Sequence, residues 1–350
     1  MLKFCIVKIL AFLVSSDSII HYVWHFAAKI SWQPHCKYCI VCDCVWWCGV
    51  GFLRYFVIRS TLFQYKTAIY ILERNMRLLP KSASDRVAFV FALLIIHVVG
   101  FFELLVVLPY IDASGYRTYW IHVVIGLFLY FGVMSSYYKL FTVDSTTSGI
   151  ILPTLKPPGW SYCSECCSTA PRRCRHCWIC NVCVLKRDHH CIFTGNCVGY
   201  RNQRYFFTLL AYFTVSAAYA NYLNMDYTLE VLGGELTAKA VLTMFLPMLS
   251  WTLGLAGAYT FAVSFISAIC IVGLLLFVVL LVYHSRNVFY GQTCFEATNS
   301  IREFDLGLSE NLRQIFGCRW HIAWISPFII SPLPGNGVDF FTRDENIKDM

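Results

Sequence analysis

Apolar residues in this chain fall into runs too long for the strands or amphipathic helices of a soluble protein. A helix needs about 20 apolar residues to cross hydrocarbon. The first such run is Val87 to Tyr110, interrupted by His97 and Glu103. The second is Tyr119 to Phe141 and the third is Tyr205 to Leu223. An uncharged run then extends from Ala240 to Tyr283. At about 1.5 Å of rise per residue it would cover roughly two bilayers, so it must break. Gly254 and Gly257 are the natural break, and Pro247 weakens the first half.

Charge between the runs sets their direction. Arg74, Arg77, Lys81 and Arg86 precede the first run and put that side in the cytoplasm. The 112–118 loop carries only Arg117 as a basic residue and suits the lumen. Lys139, Lys156 and the arginines of the following cysteine-rich block return to the cytoplasm. The 224–238 loop holds Asp226, Glu230 and Glu235 with no basic residue, and suits the lumen. Arg286, Arg302, Arg313 and Arg319 then mark a cytoplasmic tail. An odd number of crossings must therefore join the 224–238 loop to the tail. One span near Tyr259–Tyr283 satisfies this, with Ala240 to Ala258 a luminal-side or re-entrant helix.

The expected fold is an all-α polytopic membrane protein of about four transmembrane helices with a cytosolic cysteine-rich domain. Residues 81–141 hold the first two spans, 142–204 the cysteine-rich domain, 205–284 the remaining spans and 285–350 a cytosolic tail. Residues 1–80 read as an N-terminal extension of unclear role. Met1 to Ser15 is signal-like, without a convincing cleavage site. Phe52 to Phe63 is apolar but carries Arg54 and Arg59. Cys36, Cys39, Cys42 and Cys44 beside His35 invite a metal reading, yet lack a second well-spaced half, and the reading without metal is preferred. No internal repeat or low-complexity segment is expected.

Composition agrees with a membrane solvent. Hydrophobic residues make up 58% of the 350 and charged residues 14%, against about 25% charged in soluble domains. The net charge of +8 is diluted over an apolar chain. It fits a positive-inside bias better than nucleic-acid binding, and no nucleic-acid partner is expected. A channel or transporter would need polar residues along several spans, and only His97, Glu103 and Asn221 offer any.

Nine of the 18 cysteines lie between Cys163 and Cys197. An extracellular disulfide framework is one reading of such density. Cys-x2-Cys pairs interleaved with His176, His189 and His190, on a side where thiols stay reduced, point to metal instead. Three cysteines and one histidine close a tetrahedral zinc site, and the block holds enough ligands for two. A short Pro- and Arg-rich segment cannot build a core, so metal would supply its folding energy.

The block resembles the cysteine-rich domain of the DHHC palmitoyltransferases. That family's pattern is met by Cys163, Cys166, Pro171, Arg173, His176, Cys177, Cys180 and Cys183 at matching spacings. It continues through Asp188, His189, His190 and Cys191, then Asn196, Cys197, Val198, Gly199, Asn202 and Phe206. The resemblance implies two interleaved structural zinc sites. One would use Cys163, Cys166, His176 and Cys183; the other would use Cys177, Cys180, His190 and Cys197. It implies Cys191 as nucleophile, His189 as its base and Asp188 as the orienter of that imidazole. The implied activity is protein S-acyl transfer: a palmitoyl-type chain passes from acyl-CoA, such as palmitoyl-CoA, through acyl-Cys191 to cysteines of membrane-associated proteins. Chemistry agrees, since a neighbouring base activates a thiol and a thioester yields to thiolate. The implied partners are fatty acyl-CoA, membrane-associated protein substrates with cytosolic cysteines, and the lipid bilayer. The Golgi, the endoplasmic reticulum and the plasma membrane all suit such a multi-pass protein.

Later residues extend the likeness to about 341. Thr293-Cys294-Phe295-Glu296 resembles the family's Thr-Thr-x-Glu with the second Thr replaced. Asn311, and the series Trp320, Pro327, Gly335, Asn336, Gly337 and Phe340, resemble its C-terminal marks. Two departures resemble a divergent branch: Ile192-Phe193 stands where Pro-Trp is usual, and Ala170 where a basic residue is usual. The alternative function is a catalytically weak scaffold on the same fold, favoured by Ile192 and Cys294. Blander readings stand beside several residues. Glu296 could be a solvated carboxylate and Asn311 an ordinary helix cap. His97 and Glu103 could mark function or interhelical packing. Cys167, Cys174 and Cys294 could be acylated or simply small. Lys186, Arg187, Arg201 and Arg204 could attract CoA phosphates or headgroups.

Overall fold

The structure is a computed structural model that describes residues 80–113 and 118–343. The N-terminal cysteine cluster and both N-terminal apolar segments lie outside the described residues. Among the described residues, four helices are long and apolar enough to cross a membrane. They are α1 (Ala83–Ala113), α2 (Tyr119–Thr142), α3 (Gln203–Val231) and α6 (Ala258–Phe289). Between α3 and α6 lie two short helices, α4 (Ala238–Phe245) and α5 (Pro247–Thr252). Three short helices follow: α7 (Cys294–Thr298), α8 (Leu308–Phe316) and α9 (Trp320–Ala323).

The helix boundaries follow local chemistry. Ser82 caps α1 by accepting from the Asp85 N–H at 3.0 Å. A π turn, Glu103–Val107, interrupts α1 at the charged position of the first run. The long uncharged run breaks as expected: Pro247 opens α5, Gly254 turns at φ +68°, and α6 begins at Ala258. The third helix differs from the expectation. It does not stop at Leu223 but runs to Val231, through residues assigned to a loop. Its polar continuation is paired rather than solvated. Thr228 bonds Ser267 at 2.7 Å, and Glu230 accepts from Tyr110.

Outward faces of the long helices stay apolar and exposed, as at Val87, Phe91 and Leu94 of α1, which suits lipid rather than water. Inward faces pack through close contacts. Phe213 of α3 stacks on Phe277 of α6 at 4.7 Å between centroids. Asn221 donates to the Cys270 carbonyl at 2.9 Å. Gly132 of α2 lies under Tyr212 of α3, with no room for a Cβ.

The cysteine-rich block between α2 and α3 is built of three antiparallel hairpins. They pair β1 (Ser161–Cys163) with β2 (Ser168–Ala170), β3 (Arg175–Cys177) with β4 (Val182–Val184), and β5 (His189–Cys191) with β6 (Asn196–Val198). The residue before each second strand is left-handed: Cys167 at φ 48°, Asn181 at 51° and Gly195 at 59°. The hairpins are thus a repeat, contrary to the expectation of none. Cys163, Cys177 and Cys191 open the three turns, each 14 residues after the last.

The buried amide of Asn202 joins block to helices. It donates to the carbonyls of Val143 at 3.1 Å and Cys197 at 2.9 Å. Its oxygen accepts from Gly199 N–H at 2.8 Å and from Ser145 at 3.0 Å. Every polar atom of that amide is used, so the end of α2, the last hairpin and the start of α3 are held as one joint.

Candidate functional site

The hairpins bring the eight expected metal ligands together in two groups. Cys163, Cys166, His176 and Cys183 form one; Cys177, Cys180, His190 and Cys197 form the other, with the ligand atoms of each group within 4.8 Å of one another. In each, two cysteines come from one hairpin turn and the histidine and third cysteine from the next hairpin. The imidazole Nδ1 faces the thiols at 3.4–3.6 Å in the first group and 3.3–3.7 Å in the second. Three thiols and an imidazole with no carboxylate among them suit zinc. Behind the second group, His190 Nε2 meets Asp85 Oδ2 at 3.2 Å. A carboxylate on the far ring nitrogen fixes the tautomer that turns Nδ1 toward a metal.

Cys191 opens the third turn, but the position matching the second cysteine of the other turns is Thr194. Among the described residues no partner set forms around it, and its sulfur faces His189 and Thr194 instead. His189 Nδ1 bonds Asp188 Oδ2 at 2.7 Å, which leaves Nε2 for the thiol. Phe206 meets both His189 and His284 edge to face, each at 4.8 Å, and holds the two imidazoles in place. Burial works against charge at Cys191, yet the bond to His189 and its charge prevail and hold the thiol below its usual range. Burial likewise opposes the His189 imidazolium, but the bond to Asp188 raises it well above the usual histidine value. Asp188 is buried too, and its bonds and neighbouring imidazoles still hold it down at about 2. The arrangement favours a thiolate–imidazolium pair backed by a carboxylate.

The turn presenting Cys191 closes without proline. The Thr194 N–H donates to the Cys191 carbonyl at 3.2 Å, and Tyr137 of α2 donates to the Phe193 carbonyl at 2.5 Å. Gly195 lies against Pro80, where a Cβ would clash. Ile192 and Phe193 point outward and are partly exposed.

Cys191 packs on an apolar cluster that includes Val133, Tyr205 and Phe277. Val133 and Phe277 also line a cavity of about 500 Å³ inside the helix bundle, together with His97, Glu103, Tyr130 and Tyr219. That size falls within the roughly 300–1,000 Å³ range of ligand pockets. The two polar residues of the first run therefore face the cavity.

The tail marks meet the block. Arg173 makes a two-pronged, buried ion pair with Glu296, at 2.8 and 2.6 Å. It also donates to the Gly291 carbonyl at 2.8 Å and lies over the Phe304 ring at 4.3 Å. Glu296 is thus not a solvated carboxylate; it also closes a capping box with Thr293. Asn311 is not a cap either. It is buried inside α8 and donates to the Phe289 carbonyl at 3.0 Å and to Asp305 at 2.8 Å. Gly337 lies against Tyr200, whose hydroxyl donates to the Pro334 carbonyl at 2.5 Å.

Other expectations change. Lys186 is buried and cannot meet a CoA phosphate at the surface; its burial and the nearby Arg173 pull its pKa down to about 7. Arg187 bonds Cys197 and Cys177, and Arg204 donates to the Ser331 carbonyl at 3.0 Å. Of these four basic residues only Arg201 is exposed. Cys174 is buried and closed to acylation in the fold, whereas Cys167 is exposed. Three contributors escaped the sequence reading: Asp85, Tyr137 and His284. Asp85 looks like a first-turn acid and His284 like a polar residue at the end of a span. Neither carries a spacing signal.

Four membrane-length helices around a cysteine-rich block with a shielded thiol–imidazole–carboxylate triad define a membrane-embedded, thiol-bearing protein class. Residues 156–301 match the family model of the DHHC palmitoyltransferases. The chain is 37% identical over 184 residues to probable palmitoyltransferase ZDHHC24 of Rattus norvegicus, covering 53% of this chain and 65% of the relative. It is 40% identical over 182 residues to the Danio rerio protein of the same name, covering 52% and 62%. Palmitoyltransferase ZDHHC15 of Homo sapiens is 31% identical over 193 residues, covering 53% and 51%. The match thus spans just under two thirds of the first relatives. Over that segment the chain is similar to the DHHC palmitoyltransferases, ZDHHC24 among them.

Proposed function

We propose that this protein is a protein S-acyltransferase that carries the acyl chain on Cys191. One observation supports this above the rest. Of the three cysteines that open the hairpin turns, Cys163, Cys177 and Cys191, the last alone lacks metal-site partners, and it faces an imidazole that a buried carboxylate orients. The likeness to proteins named palmitoyltransferases supports the same reading.

The chemistry is a two-step exchange. His189 Nε2 takes the thiol proton, while Asp188 holds Nδ1 and stabilises the imidazolium. The Cys191 thiolate attacks the acyl-CoA carbonyl, and the carbon–sulfur bond to CoA breaks. CoA leaves as a thiolate and takes the proton back from His189. His189 Nε2 then takes the proton of a substrate cysteine, whose thiolate attacks acyl-Cys191; the bond from the acyl carbon to Cys191 breaks, and Cys191 leaves as a thiolate beside the imidazolium. The cavity below the Cys191 cluster suits an apolar chain. Cys163, Cys166, His176 and Cys183 would hold one zinc ion; Cys177, Cys180, His190 and Cys197 would hold the other. Bound zinc supplies folding energy to hairpins that have little core of their own. Basic residues at the ends of the spans favour a cytosolic face for the block.

Autoacylation tests the reading. Purified protein given labelled palmitoyl-CoA should take up a hydroxylamine-sensitive label, and Cys191→Ser should not, with two zinc ions retained by both. Retained zinc without label on the wild type would replace the enzyme reading with the scaffold.

A further inference from the structure

The polar cluster behind Cys191 holds more donors than a base and its orienter need. Asp188, His189, His284 and Cys294 bring a carboxylate, two imidazoles and a thiol together, with their ligand atoms within 4.8 Å of one another. Asp188 Oδ2 is the hub. It lies 2.7 Å from His189 Nδ1, 3.1 Å from Cys294 Sγ and 3.6 Å from His284 Nδ1. Cys294 Sγ is 3.9 Å from His284 Nδ1. Zinc bonds of about 2.0–2.3 Å set tetrahedral donors roughly 3.3–3.8 Å apart. The cluster brackets that spacing, and its two shorter contacts are hydrogen bonds that a metal would replace.

Three separate segments supply the donors, so the cluster is not an accident of neighbouring residues. Asp188 and His189 enter at the start of β5, His284 lies near the end of α6, and Cys294 opens α7. Asp188 is further fixed by its other oxygen, which accepts from the Cys294 N–H at 3.0 Å. Asp188 and His284 are buried, and the His189 side chain keeps 26% of its surface open as an entry. The thiol comes from the position where the family pattern has threonine. A hydroxyl is a poor zinc ligand and a thiolate a strong one, so that replacement completes the donor set.

We propose that Asp188, His189, His284 and Cys294 form a third zinc site, and that its occupation switches the thiol chemistry off. Binding displaces two protons to solvent, from the Cys294 thiol and from His189 Nδ1, with no change of oxidation state. With metal on Nδ1, the one remaining ring proton resides on Nε2. That nitrogen then holds its proton, and can neither hand it to the departing CoA thiolate nor take one from an incoming substrate thiol. The site stands on geometry alone; the switching rests on the acyltransferase reading.

The test uses full-length protein that retains its two tightly held zinc ions, titrated with zinc against a chelating indicator. Wild type should take up a third equivalent at least tenfold more tightly than Cys294→Thr. Cobalt(II) added to the zinc-replete wild type should give a sulfur-to-cobalt absorption band that Cys294→Thr lacks. The third equivalent should slow acylation by wild type, measured against its own rate without added zinc, and leave the corresponding ratio for Cys294→Thr near one. No third equivalent, or one of equal affinity in both proteins, overturns the site. Occupation that leaves the wild-type rate unchanged overturns the switch. Wild type that binds the third ion through Cys294 yet never transfers an acyl group upholds the site and overturns the enzyme reading instead.

Discussion

The four long helices and the cysteine-rich block meet the same physical demand by opposite means. In the helices every backbone polar group is satisfied within its own segment, so lipid can surround them and packing needs only close apolar faces. Phe213 on Phe277 and Gly132 under Tyr212 are contacts of that kind. The block has three hairpins of three-residue strands, too short to hold themselves. Its inward positions are thiols, imidazoles and a few apolar residues such as Val184, Leu185 and Val198. Specific polar contacts do there what apolar area does in the bundle. The helices should therefore tolerate substitutions that the block does not.

The largest separation of the two regions is expected from a metal ligand. On the proposed zinc reading, Cys197→Ser removes one of four ligands from the second group while leaving every long helix intact. Structural zinc contributes about 10–16 kcal/mol to the folding of small metal domains. We expect the variant to lose one zinc ion and all acylation, while helical circular dichroism in detergent changes little. Loss of helical signal in step with zinc would show that bundle and block fold as one unit.

A smaller effect is expected at the buried ion pair. Arg173→Ala or Glu296→Ala alone leaves a charge inside the protein without its partner, which costs about 3–5 kcal/mol. Replacing both by apolar residues of similar volume, Arg173→Met with Glu296→Leu, should cost less than either single change. Thermal unfolding of the three variants measures this. A double variant as unstable as the sum of the singles would mean that the Gly291 carbonyl and the Phe304 ring, not Glu296, are the main partners of Arg173.

The same contrast explains what the sequence discloses. Spans are legible because lipid imposes a length and a composition on each helix separately. The two cysteine–histidine groups are legible because their residues repeat at a fixed interval: His176 and His190 are 14 residues apart, as are Cys183 and Cys197. That interval also accounts for Cys191, which stands where the earlier turns put a metal-site cysteine but has Thr194 in place of the second one. Contacts between distant segments leave no such trace. Arg173 and Glu296 are 123 residues apart, and Asp85 and His190 are 105 apart. Each looks like an ordinary charge until the fold pairs it. The continuation of α3 past Leu223 is hidden for a related reason. Its polar residues are satisfied by α1 and α6, so the hydropathy of the segment alone underestimates the helix.

Asp85 is where the comparison itself can be broken, because it belongs to the first span and acts on the block. It sits in the first turn of α1, buried, with its carboxylate on His190 Nε2. Lys81, just before that helix, donates to the Cys180 carbonyl, so two contacts bind the start of the span to the second metal group. Asp85→Asn keeps the shape and the Ser82 cap but removes the charge that makes His190 a stronger ligand. Losing such a partner typically weakens metal affinity 10–100-fold. We therefore expect the second zinc ion to be lost at lower chelator concentration in Asp85→Asn, the first to be held as in wild type, and thermal stability of the zinc-loaded protein to fall only slightly. Chelator titration followed by metal analysis reads both sites together. If both ions leave together, or neither moves, the span does not tune the second group, and block and bundle are independent at this point of contact.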